Sequence, residues 1–292
     1  MPEHTRAARD RNRAVRRVLL GLLVANVSVV GAKFVIGLRT HSLAVLGDAV
    51  HSSVDAMNNV LALVVLGVAV REPDEDHPYG HEKFEILGAL GIVVFLSITG
   101  FELVKGAVGR LATGGSRLQI TYGQIAILVA TLAVNACVSV YEARRGRDLA
   151  SPLLLADAEH TRADVFITIG VLIGVVAARG GWGFVDPIVA LIVAGMIGIL
   201  AYGIVARSVP VLVDQLATPA DAIRRAAEAV DGVAHAYNIR SRGMQQRLFT
   251  ELTIAVPGDA TVEAAHQLAD AVEHRLRTDL GFHEVIVHVE PC

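Results

Sequence analysis

The sequence predicts a mainly α membrane protein: six transmembrane helices followed by an α+β domain in the order helix, strand, strand, helix, strand. Three observations carry that reading. Six apolar stretches of membrane-spanning length lie between residues 18 and 208. From about Val209 the pattern changes to short amphipathic and alternating segments. Finally, the pattern Asp48-Ala-Val-His51-Ser-Ser-Val-Asp55 returns as Asp157-Ala-Glu-His160-Thr-Arg-Ala-Asp164, inside the second and fifth apolar stretches.

Composition agrees. The 292 residues are 53% hydrophobic without counting glycine, above the roughly 45–50% that soluble chains reach with glycine included. A formal net charge of −3 gives no case for nucleic acid binding. The two cysteines, Cys137 and Cys292, make no disulfide framework, and Cys137 is expected to be a small packing residue in its apolar run. The basic N-terminus leads into an apolar run too long for a cleavable signal, so none is expected.

The spans run Val18 to Leu38, Leu43 to Val70, Phe84 to Val108, Leu118 to Tyr141, Leu153 to Ala178 and Val185 to Ala206. Arginines and lysines in the short connections set their direction. One side carries Arg6, Arg9, Arg11, Arg13, Arg16 and Arg17 before the first span, Arg71 and Lys83 after the second, and Arg144, Arg145 and Arg147 after the fourth. The other side has only Arg39, Arg110, Arg117 and Arg179. Both termini are therefore expected in the cytoplasm of a multi-pass protein of the cytoplasmic membrane. The parts are a tail over 1–17, a membrane domain over 18–208 and a cytoplasmic regulatory and dimerisation domain over 209–292. Trp182 suits an anchor at the outer interface.

In the last part, Pro219 to Val230 reads as a short helix, Ala234 to Arg242 and Arg247 to Val256 as strands with a turn near Gly243, Thr261 to Thr278 as a longer helix, and His283 to Glu290 as a third strand. A three-stranded sheet with one open face favours pairing with a second copy, so a homodimer is expected.

The repeated motif carries the chemistry. On a helix, spacings of three and four residues put Asp, His and Asp on one face. His51 and Asp55 lie about 12 to 18 Å into their span, at 1.5 Å per residue, and His160 and Asp164 lie at similar depth. Ionisable groups at that depth are expensive and mark an ion pathway. Two imidazoles and two carboxylates form a four-ligand set suited to Zn²⁺. Protons compete for the same atoms, which is the property that an antiporter needs. Asp48 and Asp157 share those faces one turn away and are candidates to steady the ligands or receive incoming ions; helix caps or buried hydrogen bonds are the equal alternative. A second cluster, Asp74, His77 and His81, sits in the connection after span two, as a metal site or as an acidic turn. A third group lies in the tail, where His235, His266, His288 and Glu290 are the candidates. Ser52, Ser53, Asn58 and Asn59 read as polar lining or, more simply, as helix–helix hydrogen bonds.

These motifs resemble the cation diffusion facilitator family, dimeric exporters that exchange divalent metal for protons. The resemblance rests on the paired His-x-x-x-Asp motifs, the loop from Asp74 to His81, and the tail segments Ile239-Arg-Ser-Arg242, Ala265-His266 and Val285-Ile-Val-His288. It implies a transport site at His51, Asp55, His160 and Asp164, a peripheral site at Asp74, His77 and His81, and a metal-regulated tail of metallochaperone-like fold. It also implies a charge interlock between protomers at Lys83 and Asp214. The chain departs from the family pattern at Tyr237 and Thr253, where histidines would sit, which speaks against a two-metal tail site. His51 argues for Zn²⁺ over Cd²⁺; Co²⁺, Fe²⁺ and Ni²⁺ stay open, and Mn²⁺ is disfavoured because it prefers oxygen-rich sites.

Other classes fit less well. A membrane protease would want His-Glu-x-x-His, and no such string occurs. A diiron hydroxylase would want repeated His-x-x-x-His boxes in the spans, and a pure metal sensor would leave six spans with midplane ligands unused. The chain is expected to be a transporter and not an enzyme.

Overall fold

The apolar runs become helices because lipid leaves the backbone no other partner for its N–H and C=O groups. The computed structural model describes residues 3–40, 43–112, 122–244 and 247–292. Two compact units divide at residues 208 and 209. The first holds α1 (Glu3–Thr40), α2 (Leu43–Ala69), α3 (Lys83–Ala112), α4 (Tyr122–Asp148), α5 (Pro152–Arg179) and most of α6 (Val185–Leu212). The shortest have 27 residues, about 40 Å against a hydrocarbon core of roughly 30 Å. Among the described residues, α1, α3, α5 and α6 carry stretches long and apolar enough to cross a membrane, and α2 has a shorter one, Ala56–Ala69. The N-terminal tail is part of the first helix, which begins at Glu3, ahead of the apolar run.

Leu19 and Leu22 of α1, Leu66 of α2, Leu96 of α3, Leu154 of α5 and Ile197 of α6 share one core. Phe101, Ile192 and Tyr202 face outward, as lipid-facing side chains do. Cys137, expected to pack inside, is exposed instead, because its position on α4 falls on the outward face. Trp182 is also exposed, in the connection between α5 and α6. A Cβ at Gly88 would lie 2.6 Å from Val65 Cγ1, so glycine is what lets α3 close against α2.

Both ends of α3 are tied by charge. At its start Glu85, 3% exposed in its side chain, takes Arg11 of α1 at 3.1 Å. The same guanidinium donates to the carbonyls of Leu149 (2.7 Å) and Ala150 (2.9 Å) in the tight connection between α4 and α5. Ser151 donates its hydroxyl to Glu85 and accepts from the Leu154 N–H at 3.3 Å. It thereby caps α5, whose first residue is Pro152, a position where the missing N–H costs nothing. At the other end of α3, Arg110 meets Asp186 of α6 at 2.7 Å. Gly174 of α5 leaves room for that carboxylate, since a Cβ there would come within 2.5 Å of Asp186 Oδ1.

The second unit contains α7 (Ala220–Glu228), β1 (His235–Met244), β2 (Arg247–Val256), α8 (Val262–Leu280) and β3 (Glu284–Pro291), the helix and strand order expected from the sequence. The sheet order is β1-β2-β3, with β1 antiparallel and β3 parallel to β2. Ile223 and Ala227 of α7, Leu252 and Ile254 of β2, and Val272 and Leu276 of α8 form its core. Thr261 caps α8 by accepting from Ala264 N–H at 3.2 Å, and Gly281 ends it in the left-handed region at φ 71°.

Gly243 lies within β1, at φ 118°, and a Cβ there would lie 2.0 Å from the Arg247 carbonyl oxygen. Backbone cannot yield as a side-chain tip can. Gly243→Ala is expected to destabilise the second unit by about 1–3 kcal/mol, in the range of a strained backbone position, and faster amide exchange in β1 and β2 of the full-length protein would register it.

Candidate metal centre

On α5 the sequence motif becomes a buried face. Asp157 is 3% exposed and His160 8%, with Asp164 half-buried one turn further. Hydroxyl groups lock the neighbouring backbone: Ser139 of α4 donates to the Ala158 carbonyl at 3.0 Å, and Thr168 donates to that of Asp164 at 2.8 Å. The side chains of Asp48, His51 and Asp55 lie outside the described residues; their backbone belongs to α2. What α2 visibly brings is Asn58, 4% exposed, with its Nδ2 3.2 Å from His160 Nε2. Asn58 stands three residues after Asp55 and seven after His51, positions that share one helix face. The helix carrying the first motif therefore meets the helix carrying the second at a candidate ligand.

Glu142 of α4 was not among the sequence candidates. It is 2% exposed and accepts a hydrogen bond from Thr161 at 2.9 Å. In the sequence it follows the fourth apolar run and precedes two arginines, the signature of a solvated flank. Only the packing of α4 on α5 turns it inward.

The connection between α2 and α3 gathers Asp74, His77 and His81. Among the described residues they are the group whose ligand atoms all lie within 4.8 Å of one another. Asp74 Oδ1 accepts the His77 backbone N–H at 2.7 Å and lies 3.1 Å from its Nδ1, while Oδ2 lies 3.3 Å from His81 Nε2. The two imidazole centroids are 4.3 Å apart, and Phe84 flanks both. Gly80, at φ 90°, makes the turn that folds His81 back. His81 is buried, and its Nδ1 has no hydrogen-bond partner among the described residues. Desolvation raises the Asp74 pKa, but the His77 hydrogen bonds, together with the charges of His81 and His77, outweigh it and hold the carboxyl below its ordinary value. The stabilisation it lends the loop is therefore present at neutral pH and is lost only as pH falls through that lowered value. A carboxylate between two imidazoles fits a borderline divalent cation.

In the tail, strand register places Tyr237, Thr253 and His288 in one row across the sheet, and His235, Ala255 and Glu290 in a row two residues along, on the same face. Tyr237 donates its hydroxyl to Glu290, and His288 Nε2 lies 3.5 Å from the same carboxylate. The Glu290 hydrogen bond first, then desolvation and the charges of Glu290 and Cys292, push the Tyr237 phenol above its usual value. It stays a neutral donor and holds one oxygen of the Glu290 carboxylate. His266 lies on α8 beside Asp270, at 3.6 Å. Lys83 begins α3 in the first unit, and Asp214 belongs to the second, in the left-handed region at φ 53°.

Residues 19–213 match the family described as cation efflux transmembrane domain, and residues 218–292 match the cation efflux protein cytoplasmic domain. An uncharacterized transporter of Methanocaldococcus jannaschii, MJ0449, is 29% identical over 95% of this chain and 99% of its own. The manganese efflux system protein MneS of Bacillus subtilis is 27% identical over 89% of each. Metal tolerance protein 2 of Oryza sativa is 30% identical over 91% of this chain and 76% of its own.

Proposed function

Since the chain belongs to the cation diffusion facilitator family of multi-pass metal transport proteins, we propose that it exports divalent cations in exchange for protons. Zn²⁺ is the first candidate cargo, held by His51, Asp55, His160 and Asp164. The observation that carries this reading is the buried contact between Asn58 and His160, which joins α2 to α5 where both motifs fall. The donors are imidazole and carboxylate, which bind metal only when deprotonated, so arrival of the ion and arrival of protons exclude each other.

Asp157 and Glu142 stand beside the ligands as buried carboxylates, and Asp48 is their counterpart on α2. Asp74, His77 and His81 form a peripheral metal site at the cytoplasmic mouth, where the orphaned Nδ1 of buried His81 offers a further ligand atom. The basic residues of the N-terminus and of the connections after α2 and α4 favour cytoplasmic termini, and that orientation together with the family gives efflux as the direction. The protein works as a homodimer, with Lys83 and Asp214 as the charge interlock. His235, His266, His288 and Glu290 are the residues through which the tail would sense metal, and a single weak ion is what they allow, given the Tyr237 bond to Glu290. MneS is named for manganese efflux, so Mn²⁺ joins Zn²⁺, Co²⁺, Cd²⁺, Fe²⁺ and Ni²⁺ as cargo to be tried.

The test is Zn²⁺ movement in proteoliposomes with an imposed pH gradient, wild type beside Asp55→Ala. Transport is expected to follow the gradient, to stop when an ionophore collapses it, and to vanish in the variant. Binding without movement under any gradient would defeat the exporter reading in favour of a sensor.

A further inference from the structure

We propose that Asn58 is itself a donor of the midplane site: its carboxamide oxygen turns to the cation on His160 and widens the site from Zn²⁺ to Mn²⁺. The inference rests on the transport reading above and concerns which ions that site accepts.

The geometry begins at His160 Nε2, with Asn58 Nδ2 3.2 Å away and both side chains buried in the packed bundle. An amide nitrogen can only donate, so in this contact Nε2 is the acceptor and its lone pair is taken by Asn58. That lone pair is also what a metal would take. A cation held about 2.0–2.1 Å from imidazole nitrogen competes with the amide hydrogen for it. Metal and amide N–H cannot share it. Asn58 must either leave or turn, and a half-turn about the Cβ–Cγ bond exchanges its NH₂ for a carbonyl oxygen with two lone pairs. The same side chain thus satisfies His160 when the site is empty and faces the cation with oxygen when it is full.

The consequence for selectivity follows from donor count. Two imidazoles and two carboxylates suit a tetrahedral ion, but a fifth, neutral oxygen makes the set oxygen-rich and relaxes the tetrahedron. Zn²⁺ accepts five donors as well as four, whereas carboxylate and carbonyl oxygens are the ligands that suit Mn²⁺. Asn58 follows His51 and Asp55 by seven and three residues on the same helix, so its oxygen would come from the helix that carries the first motif.

The experiment compares kcat/KM for Mn²⁺ and Zn²⁺ uptake in proteoliposomes for wild type, Asn58→Leu and Asn58→Asp, with Asp164→Ala as control. Asn58→Leu is expected to lower the Mn²⁺ to Zn²⁺ ratio at least tenfold; Asn58→Asp, which keeps the oxygen and loses the amide N–H, is expected to hold it within about threefold. If leucine prevents folding, judged by gel filtration, Asn58→Ala replaces it. A ratio unchanged in the leucine or alanine variant, with both metals falling together or neither, would overturn the assignment and leave Asn58 as a brace for His160. So would an aspartate variant that behaves like leucine. Asp164→Ala separates the two readings: if it moves both metals as wild type does, the midplane site itself is wrong, and the Asn58 assignment falls with it.

Discussion

Replacing His160 with alanine is expected to cut metal transport by at least 100-fold, more than the roughly 10–100-fold that follows when only a ligand's supporting partner is lost. It should also lower stability, because Asn58 is then left buried with a donor and no acceptor, at a cost of about 1–3 kcal/mol. His160→Gln separates the two effects. Its carbonyl oxygen can accept the Asn58 amide, so much of the lost stability should return while transport does not. Uptake in proteoliposomes and thermal midpoints of the purified protein check both halves; equal transport by His160→Ala and wild type would sink the site.

Arg11→Ala is expected to be the most destabilising single change at the start of α3. It strips Glu85 of its counter-charge while the carboxylate stays 3% exposed, and breaking one side of a buried pair costs about 3–5 kcal/mol. It also removes donors to the Leu149 and Ala150 carbonyls. Removing the stranded charge as well should help. The double variant Arg11→Ala, Glu85→Ala should therefore melt above Arg11→Ala and below wild type. A double variant that melts below the single one would show that Glu85 is stable without Arg11.

The architecture was legible because its signals are local. Hydropathy marks the six long helices, and alternation marks the three strands. The spacing of Asp157, His160 and Asp164 places them on one face with no knowledge of what lies opposite. What escaped depends on partners far along the chain. Arg11 reads as one of six basic residues that set orientation; only the fold makes it a tether between α1, α3 and the connection that begins α5. Glu142 looks like part of a charged flank until α4 packs on α5 and turns it toward Thr161. Asn58 was readable as a helix–helix hydrogen bond, but its partner was not. In the tail, the departure at Tyr237 was visible, yet its effect on Glu290 emerges only once the register sets their two rows on one face of the sheet.

The strand order also bears on the sequence of events during synthesis. β2 is central, yet its parallel neighbour β3 occupies Glu284–Pro291, so the ribosome makes all six membrane helices, α7, β1, β2 and α8 before the sheet can close. Throughout that interval β2 presents an open hydrogen-bonding edge, with Leu252 and Ile254 deprived of part of their cover. Nascent chains crowded on one membrane would offer those edges to each other. The last eight-residue strand is therefore the one whose pairing closes that edge and withdraws it from neighbouring chains.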